Sequence, residues 1–211
     1  MKNVKAILSD WGNVAVYFDN DRTAARLAPW SGRPFSEVRH LLFRSPHSPC
    51  IAYEKGRMST WEFREFARHY LRLDEKLDDA VFDEAYSDIF TPNWEVLGLL
   101  ARARNRGFMI TAVSNIDELR HAALRKLGLE SFFDRLTLSY RELLAKPSAE
   151  LMVRALDRSG VAAEEALFVD DIAANLEPAR ELGIRVHQYA DFSGFLKFLS
   201  DQGLTDLAMT N

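Results

Sequence analysis

The chain has 211 residues, with 27 lysines and arginines against 31 aspartates and glutamates, and a formal net charge of −4. A hydrophobic fraction of 47% beside 27% charged residues is ordinary for a globular protein. This balance gives no reason to expect nucleic-acid or anionic-membrane binding, and no apolar run approaches the ~20 residues of a membrane-spanning helix. Cys50 is the single cysteine, which excludes an intramolecular disulfide and suits a reducing cytoplasm.

The chain enters an apolar run at once, Val4–Leu8, with no signal-peptide pattern ahead of it, so a cytoplasmic location is expected. Asp10 closes that run and is followed by Trp11-Gly12-Asn13-Val14. From Asp19 to about Phe90 the apolar spacing is helical. Val38, Leu41 and Leu42 line one helix. Ser59-Thr60-Trp61-Glu62 reads as a capping box opening a second, with Phe63, Phe66, Ala67 and Tyr70 on one face. Val81, Phe82, Ala85 and Ile89 line a third. Thr91-Pro92 is the natural point of return, because proline disfavours a helical residue before it.

Beyond residue 92, four short apolar runs read as strands buried on both faces: Phe108–Val113, Arg135–Leu138, Ala166–Val169 and Ile184–His187. Helical stripes alternate with them. Trp94, Leu97 and Leu100 lead to Gly107; Leu119, Ala122, Ala123 and Leu127 lead to Gly128; Leu176, Ala179 and Leu182 lead to Gly183, each glycine placed as a helix C-cap. The alternation predicts an α/β fold, a doubly wound parallel sheet built from right-handed β-α-β units. Residues 1–19 and 91–211 form this core, and residues 20–90 form a helical insertion.

The polar residues at the strand ends carry the chemistry. Ligands of open α/β sheets bind at the carboxyl ends of the strands, where Asp10, Ser114-Asn115 and Asp170-Asp171 fall. Asp10, Asp171 and Asp170 offer hard oxygen ligands of the kind Mg²⁺ prefers. A helix N-cap explains one acid of Asp170-Asp171 but not both. Lys146 precedes Pro147, which is suited to a first helical turn, so the lysine can point over the sheet edge at a phosphate. Ser114, with backbone N–H groups at the following helix start, makes a cradle for phosphate oxygens. The histidines at 40, 47, 69, 121 and 187 show no metal-ligand spacing, and there is no Gly-x-Ser-x-Gly elbow, dinucleotide fingerprint or P-loop.

The ordered set Asp10-x-Gly12-Asn13-Val14, Ser114, Lys146-Pro147 and Asp170-Asp171-x-x-x-Asn175 resembles the haloacid dehalogenase (HAD) superfamily over nearly the whole chain. It looks most like the bacterial sugar-phosphate phosphatase branch that includes α-D-glucose-1-phosphate phosphatase. The resemblance implies a Rossmann-like core with residues 20–90 as a cap. Asp10 is then the nucleophile, forming an aspartyl-phosphate. Ser114 and Lys146 hold the phosphoryl group, with Asn115, Gly12 and Asn13 at the substrate. Mg²⁺ is held by Asp10, Asp170, Asp171 and the backbone carbonyl of Gly12, and Asn175 makes at most a water-mediated contact. The implied activity is Mg²⁺-dependent hydrolysis of a small phosphorylated metabolite, a sugar phosphate such as an anomeric sugar 1-phosphate, by a monomer or homodimer.

Most HAD phosphatases place a general acid/base aspartate where this chain has Gly12. General acid–base catalysis contributes about 10²–10⁴-fold, and its loss matters least when the leaving oxygen is acidic, as an anomeric hydroxyl is. Asp19 and Glu54 are the candidates to replace it. Gly12 also sustains a different expectation, a phosphate-binding regulatory module with little turnover. A dehalogenase ranks below both, because its chemistry needs no metal and leaves the Asp170-Asp171 pair without a role.

Overall fold

The structure is a computed structural model that describes residues 3–208. The chain opens with β1 (Ala6–Ser9) and β2 (Val16–Phe18), then passes through five helices, α1 (Asn20–Ser31), α2 (Phe35–Phe43), α3 (Pro49–Glu54), α4 (Thr60–Leu71) and α5 (Asp79–Ser87). It returns through β3 (Phe90–Pro92) to α6 (Trp94–Asn105), β4 (Met109–Ser114), α7 (Glu118–Lys126) and β5 (Arg135–Leu138). There follow α8 (Ser139–Glu142), α9 (Ala149–Ser159), β6 (Ala166–Asp170), α10 (Ala173–Glu181), β7 (Arg185–Gln188), α11 (Phe192–Asp201) and α12 (Thr205–Ala208). Among the described residues no helix is long and apolar enough to cross a membrane.

Five strands form one parallel sheet in the order β5-β4-β1-β6-β7. Every residue of β1 and β6 is buried, as expected of central strands covered on both faces. One face packs on Val96, Leu97, Leu100, Leu124, Phe195 and Leu199. The other packs on Leu151, Met152, Ala155, Leu156, Leu176 and Ala179. The chain moves outward from β1 to β4 and β5, then crosses back to β6 and β7. The winding direction therefore reverses beside β1, and the carboxyl ends of β4, β1 and β6 open a crevice there. Register brings Ser9, at the end of β1, level with Ala112 of β4 and Val169 of β6.

Helices α1–α5 have a hydrophobic cluster of their own, including Leu27, Val38, Leu42, Tyr53, Phe63, Phe82 and Tyr86. The capping box forms as read: Ser59 Oγ accepts from the Glu62 N–H, and the Glu62 carboxylate accepts from the Ser59 N–H at 2.8 Å.

The structure corrects several local expectations. Val16–Phe18 and Phe90–Pro92 pair as a two-stranded antiparallel ladder, so Thr91-Pro92 lies in a strand. Three-residue strands show no measurable period, and this pair exists because the two chain passages between sheet and insertion run side by side. Trp94 and Leu127 are exposed, while α6 buries Val96, Leu97, Leu99, Leu100 and Ala103, and α7 buries His121 and Leu124. Phe66 and Val81 also face outward. A helix's buried stripe is set by the surface it packs on, and apolar residues at its ends extend past that surface. Pro147 lies ahead of the helix rather than in its first turn, because Ser148 is the N-cap of α9 and accepts from the Leu151 N–H. The N-cap of α10 is Ile172, so neither Asp170 nor Asp171 caps it.

Candidate active site

The strand ends place the polar residues together. Asp10 follows β1, and its N–H donates to the Val169 carbonyl at 2.9 Å, continuing the sheet by one bond. Its carboxylate accepts from the Trp11 N–H at 2.7 Å. Asp170 ends β6 and is fully buried. Lys146 reaches between them, its Nζ lying 2.9 Å from Asp10 Oδ2 and 2.6 Å from Asp170 Oδ2. Asp171 completes the group: one carboxylate oxygen from each of Asp10, Asp170 and Asp171 lies within 4.8 Å of the others.

The supporting bonds reveal what each neighbour does. Asn115 forms a reciprocal pair with the Lys146 backbone: its Oδ1 accepts from the Lys146 N–H at 2.8 Å and its Nδ2 donates to the Lys146 carbonyl at 3.0 Å. Asn115 therefore locates the lysine, while it also lines the cavity beside the cluster. Asn13, held at φ 53°, a left-handed conformation in which asparagine is enriched, donates to Asp171 Oδ2 at 3.0 Å. Its side chain thus orients an acid of the cluster. Asn175 bonds Asp170 directly, donating to Oδ1 at 2.9 Å and Oδ2 at 3.1 Å. The Ile172 N–H adds a further bond to Asp170 Oδ1 at 2.9 Å. Asp170 is thus the most heavily bonded acid of the three.

Electrostatics follow from burial. Asp10 is 6% exposed, and loss of hydration raises its pKa from 3.8 to about 6; Lys146 opposes the rise and Asp170 adds to it. Burial works against the charge on Lys146, but Asp10 and Asp170 outweigh it and hold the ammonium above its ordinary pKa. Three carboxylates around one ammonium leave the cluster short of positive charge. That deficit and its all-oxygen donor set fit a hard divalent cation such as Mg²⁺.

A cavity of about 270 Å³ lies beside this cluster. Gly12, Ser114 and Asn115 line its core side, and Leu42, Phe43, Ser48, Cys50, Ile51 and Glu54 line its insertion side. Trp11, Phe18, Asn20, Phe90, Ile116 and Arg120 complete it. Of the two candidates for the missing acid, the structure brings in only Glu54. Asp19 is the N-cap of α1, its carboxylate accepting from the Asp21 N–H at 2.9 Å, and it does not line the cavity.

Arg120 and Asp117 were not singled out in the sequence. Asp117 caps α7 and accepts from Tyr86 Oη at 2.7 Å, and Arg120 lies 3.7 Å from Asp117 with its guanidinium 4.6 Å from the Tyr86 ring centre. An acid three residues before an arginine at a helix start was the available signal, but that pattern is as common on solvated helices.

Known proteins support the same architecture. The chain is 29% identical over 137 residues to mouse haloacid dehalogenase-like hydrolase domain-containing protein 3, a match covering 61% of this chain and 55% of that protein. The chain thus spans about half the length of this curated relative. A HAD family enzyme of Bacteroides thetaiotaomicron, solved in complex with magnesium and inorganic phosphate, superposes with a TM-score of 0.79 at 23% identity, covering 89% of this chain and 95% of that one. L-2-haloacid dehalogenase of Xanthobacter autotrophicus superposes with a TM-score of 0.59 at 20% identity, over 87% of this chain and 76% of that one. These two likenesses concern the fold. A family model of the haloacid dehalogenase-like hydrolases matches residues 4–183. The chain belongs to that hydrolase family.

Proposed function

We propose that this hydrolase is a Mg²⁺-dependent phosphatase acting in the cytoplasm on a small phosphomonoester, a sugar phosphate with an anomeric 1-phosphate preferred. The observation that carries the reading is the buried Asp10–Lys146–Asp170 cluster with Asp171 beside it, at the carboxyl ends of the central strands. Phosphoryl transfer needs an in-line nucleophile and positive charge around the phosphoryl oxygens. Asp10 is the nucleophile, and its attack splits hydrolysis into two easier displacements through an aspartyl-phosphate. Lys146 faces the phosphoryl oxygens while keeping Asp10 oriented, and Ser114 offers a hydroxyl at the end of β4. Asp10, Asp171 and Asp170, with the Gly12 carbonyl, would hold Mg²⁺, which would supply the positive charge that a carboxylate attacking a phosphate needs.

The cavity supports a small polar substrate. Its aromatic walls, Trp11, Phe18, Phe43 and Phe90, suit the apolar faces of a sugar ring, and Asn20, Glu54 and Arg120 suit its hydroxyls. Because α1–α5 contribute one side of it, residues 20–90 act as a cap that sets selectivity and excludes water from the aspartyl-phosphate. Gly12 favours an acidic leaving oxygen, hence the 1-phosphate. The bound magnesium and phosphate of the Bacteroides enzyme support the phosphatase reading over the dehalogenase one.

A screen of sugar 1- and 6-phosphates and an aryl phosphate, with and without Mg²⁺, tests this. Turnover that depends on the cation and disappears in Asp10→Asn is expected. Full activity in chelator, or in that variant, defeats the proposal. Phosphate and Mg²⁺ binding without turnover of any ester replaces it with the regulatory-module reading.

A further inference from the structure

Position 12 leaves the proposed reaction without a nearby proton donor, yet both halves of it move a proton. We propose that Glu54, contributed by the insertion, is the general acid and base of this site. The proposal rests on the phosphatase reading and adds to it the residue that handles the proton.

The geometry singles out this carboxyl. Glu54 lines the same cavity as Gly12, which follows Asp10, and as Ser114 and Asn115 at the end of β4. It is the last residue of α3, and its backbone is tied to the core. Ser139 Oγ donates to the Glu54 carbonyl at 2.6 Å and accepts from the Ile116 N–H at 2.9 Å. Two residues on, Gly56 (φ +65°) approaches the core so closely that a Cβ there would lie 2.1 Å from the Tyr140 carbonyl oxygen. A residue of the insertion is therefore held in register with the core.

Its side chain remains available. The carboxylate makes no hydrogen bond or ion pair among the described residues, whereas Asp19 caps α1 and Asp117 is bonded by Tyr86 and the Arg120 N–H. Burial and then Asp117 raise the Glu54 pKa above its usual value, while Arg120 and Lys146 lower it and Asp10 adds to the rise. Those are the charged groups that face it, from α7 and its cap, from the segment before α9 and from the tip of β1. A half-buried carboxyl with a raised pKa can carry a proton close to neutral pH.

The steps balance. An oxygen of the Asp10 carboxylate bonds to phosphorus, the bond from phosphorus to the ester oxygen breaks, and its electron pair stays on that oxygen. Protonated Glu54 gives it the proton, releasing an alcohol and leaving a Glu54 carboxylate. Glu54 then takes a proton from water as the water oxygen bonds to phosphorus. The bond from phosphorus to Asp10 breaks, restoring the carboxylate, releasing inorganic phosphate and leaving Glu54 protonated.

Kinetics of Glu54→Gln and Glu54→Asp on phosphate esters of graded leaving-group acidity test the role. With alkyl phosphates, Glu54→Gln should lose about 10²–10³-fold in kcat with KM within a few-fold of wild type. With an aryl phosphate the first turnover should persist and phosphorylated Asp10 should accumulate, because the base of the second half is gone. The wild-type preference for anomeric over 6-phosphates should widen, the basic limb of the kcat–pH profile should vanish, and Glu54→Asp should restore part of the rate. A rise in KM at unchanged kcat, or one common loss in kcat/KM for every leaving group, overturns the proposal and makes Glu54 a substrate-binding side chain. Thermal unfolding and Mg²⁺ binding confirm that the glutamine variant is folded; should it not fold, the aspartate variant carries the same leaving-group comparison. An active wild type matched by Glu54→Gln overturns the role of Glu54 alone. A wild type that hydrolyses no ester with Mg²⁺ removes the phosphatase reading and this role together.

Discussion

At the scale of single residues, the site holds charge where burial disfavours it. The Asp10 pKa rises from 3.8 in the unfolded chain to about 6 in the folded one. The folded state therefore binds the proton more tightly, so ionising Asp10 costs stability. The penalty is absent below pH 4, grows as pH rises toward 6 and is complete above it. A displacement of that size corresponds to roughly 2–3 kcal/mol. Metal-free Asp10→Asn should consequently exceed the metal-free wild type in stability by about that amount at pH 7.5, with little difference at pH 4. Denaturant melts at the two pH values check this, and equal stabilities at both would show that Lys146 fully compensates the carboxylate. Asp171→Asn should weaken the Mg²⁺ dependence and the activity together; an unchanged Mg²⁺ titration would count against Asp171 as a ligand. The acids and the lysine were legible in the sequence because their chemistry is intrinsic to the residue type. The duties of Asn13, Asn115 and Asn175 were not, since an amide's role depends on which neighbours reach its two ends.

Among the elements, the strands that build the site were readable to within a residue or two, because strands buried on both faces are nearly continuous apolar runs. The short segments that aim the side chains were not. The turn after β1 is closed by Asn13 N–H to the Val16 carbonyl at 2.7 Å and Val16 N–H to the Trp11 carbonyl at 2.8 Å. It places Gly12 against Phe18, so that a Cβ at position 12 would meet Phe18 Cε1 at 3.1 Å. Gly12→Asp should therefore require Phe18 to yield before any added carboxylate can act. The link from α3 to the core is tighter. Gly56→Ala sets a side chain in the left-handed region, roughly 1–2 kcal/mol for an L-residue, and also against a backbone oxygen. It should cost at least about 2 kcal/mol in a urea melt and lower kcat by displacing Glu54. A variant as stable and active as wild type would show that the α3–α8 contact yields freely.

For the molecule as a whole, polar contacts tie the insertion to the core, the Tyr86–Asp117 bond among them buried. Tyr86 of α5 donates to Asp117, Arg120 of α7 stacks on Tyr86 and Phe43, and its Nη2 donates to Asn20 Oδ1 at 2.7 Å. A hydrogen bond to a charged acceptor contributes about 1.5–3 kcal/mol. Tyr86→Phe should then destabilise the protein by about 2 kcal/mol and speed hydrogen exchange in α5 and α7 ahead of the central strands. Uniform acceleration across the sheet would instead mean that insertion and core unfold as one unit. If residues 20–90 move during turnover, the same variant should alter KM more than the chemical step.

The sequence by itself determined the α/β class, the strand set and the ordered acids and lysine, because burial periodicity and side-chain chemistry are local properties of the chain. Asp10 lies more than a hundred residues before Lys146 and Asp170 in the chain, and parallel pairing of β1 with β4 and β6 is what brings their carboxylates and ammonium within hydrogen-bond reach. The choice between Asp19 and Glu54 was likewise tertiary. Both are acids of the connecting or inserted segment, and only packing decides that one caps a helix while the other borders the cavity. Local sequence sets what a side chain can do; its surroundings, assembled from distant segments, set its charge state and its partners.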